Sequence, residues 1–324
     1  MKKILISKFG DSSVLHLSES PIPTPAADQI VVKVERAGVN FLDIYQRGGA
    51  GVYQLNLPFT PGVEGAGVVV EIGSDVNYLK VGDRVVWAMA LGSYAEYALL
   101  PGEKVAKVPE EIDLKIAAAS ALQGMTAHYL VNSTYLIKPG DVALVHAAAG
   151  GTGNLLCQMI LEKGGRVIAT TSNSEKEKII RETGVTEIIR YDSQNVLQEV
   201  KKMTEGKGVD VVYDGVGAAT FDDSLASLKP RSLMVLFGAA SGPVPPFDLQ
   251  RLNVNGSLFI TRPTLANYIT NRQELEMRMG EVFKLITAGK LKIKIGGEYA
   301  LAQAAQAQDD LAGRGSVGKL LLIP

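Results

Sequence analysis

One stretch of the chain limits its architecture more than any other: Asp141-Val142-Ala143-Leu144-Val145-His146-Ala147-Ala148-Ala149-Gly150-Gly151-Thr152-Gly153, an apolar strand running into a small-residue turn that opens a helix. In the G-x-G-x-x-G pattern of dinucleotide sites its first position is Ala148. Gly150 lets backbone approach a pyrophosphate, and Gly153 permits close packing of helix on strand. The turn residues Gly151 and Thr152 then begin a helix whose unpaired N–H groups suit phosphate. Glycine-rich turns of this kind also arise for packing reasons alone, so the segments that follow decide between the two readings.

Those segments alternate. Apolar, β-prone runs recur at Arg166–Thr170, Glu187–Arg190, Val209–Asp214, Ser232–Gly238 and Ser257–Thr261, six strands with the first. Helical patterns fall between most of them: Asn154–Lys163, Glu175–Thr183, Val196–Thr204 and Phe221–Leu228, the last stopping before Pro230. Strand–helix alternation implies a parallel, doubly wound α/β sheet. Six strands match the Rossmann dinucleotide-binding fold, whose ligand lies at the carboxyl ends of the central strands. The ends of the fifth and sixth strands, Phe237-Gly238 and Thr261-Arg262, then face the nicotinamide half.

The second strand sets cofactor preference, because an NAD site usually ends it with an acid that bonds the ribose 2′-hydroxyl. Here it runs into Thr171-Ser172-Asn173-Ser174, with no carboxylate before Glu175. Glu175 and Glu177 have capping-box spacing from Ser172 and Ser174 and read as first-turn helix chemistry. Without an acid, a 2′-phosphate meets no repulsion. Ser172 and Lys176 supply a hydroxyl donor and positive charge, so NADP(H) is the expected cofactor. The competing reading makes Lys176 part of an ordinary solvated helix face.

A chain of 324 residues is long enough for two domains. Lys plus Arg number 33 against 34 for Asp plus Glu, a balance that favours neither nucleic acid nor an anionic membrane. Lys8 and Asp11 interrupt the apolar start Ile4-Leu5-Ile6, so the first residues read as a strand rather than a signal peptide. The one cysteine, Cys157, has no intrachain partner and reads as a small core residue, which makes the cytoplasm the default compartment. Short Gly- and Pro-punctuated strands at Gln29–Glu35, Gly65–Ile72 and Asp83–Trp87 indicate a mainly β first domain. After a helix at Arg272–Ala288 the tail rejoins it, giving a discontinuous domain of residues 1–122 and 264–324 around a dinucleotide domain of residues 123–263.

Several blocks in order, Ala37–Tyr45, Pro61–Gly67, Val81–Val85, His146–Gly153, Val211–Asp214 and Gly256–Pro263, resemble the medium-chain dehydrogenase/reductase superfamily. More narrowly, the chain resembles its zinc-free NADPH:quinone oxidoreductases, the zeta-crystallin-like family. The resemblance implies a GroES-like catalytic domain joined to the Rossmann domain. Zinc-bearing relatives place Cys where Asn40 stands and His where Val63 stands, so the catalytic metal ligands are missing. His16, His128 and His146 lack ligand spacing, and His146 reads as a packed, hydrogen-bonded residue. Without zinc to polarise a carbonyl, the fitting acceptor is already electrophilic, a quinone or an enone.

The resemblance further implies that Asn40, Asp43, Tyr45 and Tyr53 line the substrate cleft. The loop before Tyr53 looks one residue longer than usual. Tyr45 is expected to contact the acceptor ring rather than donate a proton, and Asp43 is either catalytic or an acceptor for backbone N–H groups. For the cofactor, the resemblance places Thr126 beside the nicotinamide, Gly150, Gly151 and Gly153 at the pyrophosphate, and Lys176, Tyr191 and Arg314 at the adenosine phosphate. It also implies a homodimer through the sixth strand of the cofactor domain. The expected function is NADPH-dependent reduction of a quinone without zinc or flavin. The alternatives are reduction of an activated carbon–carbon double bond in an enone, alkenal or haloacrylate, and a structural or RNA-binding crystallin-like role.

Overall fold

Alternation in Gln29-Ile30-Val31-Val32-Lys33-Val34 produces the longest strand of the molecule, Gln29–Val39. Its Ile30, Val32 and Val34 enter one apolar cluster, while Lys33 and Glu35 face outward. The protein is described by a computed structural model covering residues 1–49, 51–313 and 315–324. Two compact units divide the chain, Met1–Met125 with Tyr268–Pro324, and Thr126–Asn267.

In chain order the first unit begins with β1 (Lys2–Leu5), β2 (His16–Glu19), β3 (Gln29–Val39), α1 (Phe41–Gly48), β4 (Glu64–Ile72), β5 (Arg84–Ala88), β6 (Tyr97–Pro101) and β7 (Val105–Lys107), before α2 (Leu114–Tyr129). The second unit carries β8 (Val142–Val145), α3 (Gly151–Glu162), β9 (Arg166–Thr171), α4 (Ser174–Arg181), β10 (Glu187–Arg190), α5 (Val196–Met203), β11 (Val209–Asp214), α6 (Phe221–Ala226), β12 (Leu228–Leu236), α7 (Gln250–Val254) and β13 (Phe259–Thr261). The first unit resumes with α8 (Arg272–Thr287), β14 (Ile295–Ala300), α9 (Ala304–Ala312) and β15 (Lys319–Ile323).

The first unit is mainly β. Its large sheet has the order β14-β15-β3-β4-β5-β7, with β6 paired to β3 as well, and β1 and β2 form a separate antiparallel ribbon. The C-terminal β15 pairs antiparallel with β3, Leu321 opposite Gly38, which closes the sheet with residues nearly a whole chain apart. Trp87 and Tyr94 are fully buried in its core.

The second unit has a six-stranded sheet of order β10-β9-β8-β11-β12-β13, and every pairing in it is parallel. Counted along the chain this is the 3-2-1-4-5-6 order of the doubly wound dinucleotide fold, as the alternation predicted. Two expectations need correction. The fifth strand starts at Leu228, not Ser232, and so contains Pro230. Because proline has no N–H for the ladder, pairing with β11 jumps from Val209–Leu228 to Val211–Leu233, and Arg231 takes a left-handed backbone in the bulge. Nor does a serine cap α4. Asn173 is the N-cap, its side chain accepting the Lys176 N–H at 2.9 Å.

Among the described residues no helix is long and apolar enough to cross a membrane.

Candidate active site

A network of polar groups converges at the start of α1. Asn40 is the N-cap residue, and the Asp43 carboxylate reaches back one turn to accept its backbone N–H at 2.9 Å. The Tyr94 hydroxyl donates to the same Asp43 Oδ2 at 3.0 Å, while the other carboxyl oxygen, Oδ1, is buried without a hydrogen-bond partner. Burial raises the Asp43 pKa to about 7, the two hydrogen bonds opposing the shift without cancelling it. Tyr94 is itself held well above the ordinary phenol range, first by burial and then by the nearby Asp43 charge. Gln308 continues the chain of contacts, taking a hydrogen bond from Arg47 at 2.8 Å and donating to the Tyr94 oxygen at 3.5 Å.

The Asn40 side chain turns the other way. Its Oδ1 accepts from the Lys319 ammonium at 2.7 Å, and its Nδ2 donates to Glu64 at 2.9 Å and to the Gly38 carbonyl at 3.3 Å. Lys319 and Glu64 form an ion pair that is 1% and 0% exposed. Lone carboxylates and ammonium groups are rarely buried this deeply without a partner, and here each has one. A catalytic zinc does not fit this donor set: the amide of Asn40 is committed, Glu64 is paired, and Val63 is apolar and buried. Among the described residues no group of three or more His, Cys, Asp or Glu side chains is placed to hold a metal.

One turn along α1 from Phe41, the ring of Tyr45 lies 5.1 Å from that of Tyr53 and 6.2 Å from that of Phe41. Asn40 and Asp43 are buried, whereas Tyr45 and Tyr53 are partly exposed. The four residues expected at the substrate cleft therefore split into a buried polar pair and a more open aromatic pair.

In the second unit, β8 delivers the chain into the glycine turn, and Gly150 caps α3. The tight bend falls one residue earlier than Ala148: Ala147 has the left-handed backbone, with φ 50°. A Cβ on Gly153 would lie 2.5 Å from the Ala147 carbonyl oxygen and 2.9 Å from Ala148 Cα, so only glycine lets α3 approach this closely. Ser172 and Lys176 sit at the start of α4, partly exposed, and Tyr191 follows β10 and is exposed. Thr126 is buried, and Phe237, Gly238, Thr261 and Arg262 lie at or just beyond the carboxyl ends of β12 and β13. Arg314 lies outside the described residues.

His146 is a packed residue, its Nδ1 3.1 Å from the Thr170 hydroxyl and its Nε2 3.0 Å from Ser224. Burial lowers its pKa, which keeps the imidazole neutral. Asp214, at the end of β11, anchors the same region by accepting from Ser224, Thr220 and the backbone N–H groups of Val216 and Gly217 at 2.7 to 3.0 Å. Sequence reasoning missed Glu64, Tyr94 and Lys319. The usable signal was an acid inside the small, apolar run Gly62–Val70 and a lysine heading the apolar run Leu320–Ile323, each of which demands a buried partner.

Residues 26–110 match the alcohol dehydrogenase GroES-like domain and residues 151–275 the zinc-binding dehydrogenase family. A quinone oxidoreductase of Pseudomonas aeruginosa is 41% identical over 100% of this chain and 99% of its own. The chain belongs to the quinone oxidoreductase family of the medium-chain dehydrogenases/reductases. Within the family's reach is also a 2-haloacrylate reductase of Burkholderia, 38% identical over 99% of this chain and 98% of its own. The crystal structure of Escherichia coli quinone oxidoreductase complexed with NADPH superposes with a TM-score of 0.97 at 40% identity, covering both chains entirely. Asn40 and Val63, which stand where the zinc-bearing relatives are expected to carry metal ligands, both lie in the stretch that matches the GroES-like domain.

Proposed function

We propose that the protein reduces quinones with NADPH and without a metal. The observation that carries this reading is the pairing of a Gly153-dependent dinucleotide turn with an Asn40–Asp43–Tyr45 block in which the metal-ligand positions hold a committed amide and an apolar side chain. Full-length relatives named as quinone oxidoreductases support it. When bound, NADPH supplies the reducing equivalents. Gly150, Gly151, Thr152 and Gly153 offer the backbone of the α3 start to its pyrophosphate, next to Ala148, and Ser172, Lys176 and Tyr191 take the adenosine 2′-phosphate. Thr126, Phe237, Gly238, Thr261 and Arg262 take the nicotinamide half. Tyr45 and Tyr53, already in contact with each other, present a shared aromatic face to the flat acceptor ring, and Asn40 and Asp43 set the turn on which Tyr45 stands.

A quinone spreads incoming negative charge over its conjugated system, so positioning is the main task left to these residues. Reduction of an activated carbon–carbon double bond has the same requirements, and the similarity to a haloacrylate reductase favours it as the second reading. The protein acts as a cytoplasmic homodimer joined along β13. That strand is the edge of its sheet and its Phe259 is 62% exposed, while Leu249 and Val254, at the two ends of α7 before it, are 69% and 82% exposed. Loss of NADPH absorbance by chelator-treated protein, with a para-quinone and an enone run in parallel, tests the assignment. Turnover with the quinone supports it. Turnover with the enone alone replaces it by double-bond reduction.

A further inference from the structure

The Lys319–Glu64 pair lies outside the reaction as described, yet both of its members bind one side chain of the candidate site. Glu64 Oε2 accepts from Asn40 Nδ2 and its Oε1 accepts the Leu122 N–H at 2.6 Å, while Lys319 donates to Asn40 Oδ1. An amide has two distinguishable ends. A cation at its oxygen and a carboxylate at its nitrogen leave it one orientation, because a flip would set the ammonium against an NH2 group and the carboxylate against an oxygen. The space for this arrangement is cut from β3 at Gly38, where a Cβ would lie 2.2 Å from Glu64 Oε2 and 2.7 Å from Lys319 Cε. Three strands, β3, β4 and β15, thus bring a glycine, an acid and a lysine onto a single amide.

We infer that Lys319 and Glu64 are positioning residues that clamp the Asn40 amide and through it hold the Asn40–Tyr45 turn in the geometry that receives the acceptor. This inference rests on the quinone-reductase reading. It predicts that the pair acts on turnover through Asn40 and not on cofactor binding, since the glycine turn and α4 start belong to the second unit.

The test is a kinetic double-mutant cycle on the full chain. Lys319→Met alone leaves Glu64 charged and buried, so it risks misfolding. The Lys319→Met/Glu64→Gln variant removes both charges; its amide oxygen still accepts the Leu122 N–H, and its NH2 meets the Asn40 amide, which is free to turn once the ammonium is gone. It is expected to fold and to lower kcat/KM for a para-quinone by about tenfold or more, the scale of a small misplacement at a reacting centre. NADPH Kd, read by fluorescence titration, should stay within about twofold. In an Asn40→Ala background the same double substitution should change kcat/KM by less than about twofold, because the residue it acts through is gone. An equal loss in both backgrounds, or no loss in either, overturns the inference. Should the wild type reduce an enone but no quinone, the functional reading fails and the cycle is run with the enone. Should it reduce neither, the Asn40 side-chain amide still reports by NMR: slow hydrogen exchange of its NH2 group that is lost in the double variant supports the clamp, and unchanged protection refutes it.

Discussion

Asp43→Asn isolates the cost of keeping a carboxyl group without solvent at the start of α1. An amide reproduces the neutral acid closely: its oxygen takes the Asn40 N–H and the Tyr94 hydroxyl, and its NH2 fills the position of the unpartnered Oδ1. Folding lifts the Asp43 pKa from 3.8 to about 7, burial being the main cause. The folded protein therefore binds this proton more tightly than the unfolded chain, so the stability associated with it is fully present below 3.8 and is lost as pH rises to about 7. The shift corresponds to roughly 4 kcal/mol in all, of which about 2.5 kcal/mol falls between about pH 5 and pH 8. Trp87, the sole tryptophan, is buried in the same unit, so its fluorescence in urea follows the unfolding of that unit. Relative to Asp43→Asn, the wild type should lose about 2.5 kcal/mol across that range as its urea midpoint falls. Parallel pH curves for the two proteins would show that Asp43 ionises inside the fold at no cost, and the argument from burial would be wrong.

Three further outcomes test the cofactor unit. Gly153→Ala drives a methyl group into the Ala147 carbonyl, and it should destabilise the protein by about 1–3 kcal/mol and abolish the rise in melting temperature on adding NADPH. Lys176→Ala should raise the Kd for NADPH by about tenfold while leaving that for NADH within about twofold, since only NADPH carries the phosphate; equal losses would return Lys176 to a structural role. Phe259→Glu places a charge on the exposed edge of β13, and sedimentation should show the dimer giving way to monomer, an unchanged dimer locating the interface elsewhere.

Periodicity and turn chemistry by themselves determined the second unit: Glu187–Arg190 and Val209–Asp214 are strands with the predicted bounds, and α3, α4 and α5 fall within a few residues of expectation. Such signals are legible because each is written in a contiguous window whose hydrophobic spacing selects helix or strand. The expectation of NADP(H) has the same local basis, as it turns on a few residues after β9. Where a local rule offered two answers, the fold chose. Asn173 displaced the serines as the α4 cap, and Pro230 was admitted to β12 because a bulge absorbs its missing N–H. Tyr45 and Tyr53 were grouped by resemblance alone; their 5.1 Å ring separation is a property of how the chain returns after α1. Lys319 and Glu64 mark the limit most sharply. Each advertised a buried charge in need of a partner, but they stand 255 positions apart in the chain, and no local pattern names the mate. Only the antiparallel pairing of β15 with β3, and of β3 with β4, brings ammonium, carboxylate and the Asn40 amide within hydrogen-bonding distance, because in a sheet contacts follow strand order and register rather than separation along the chain.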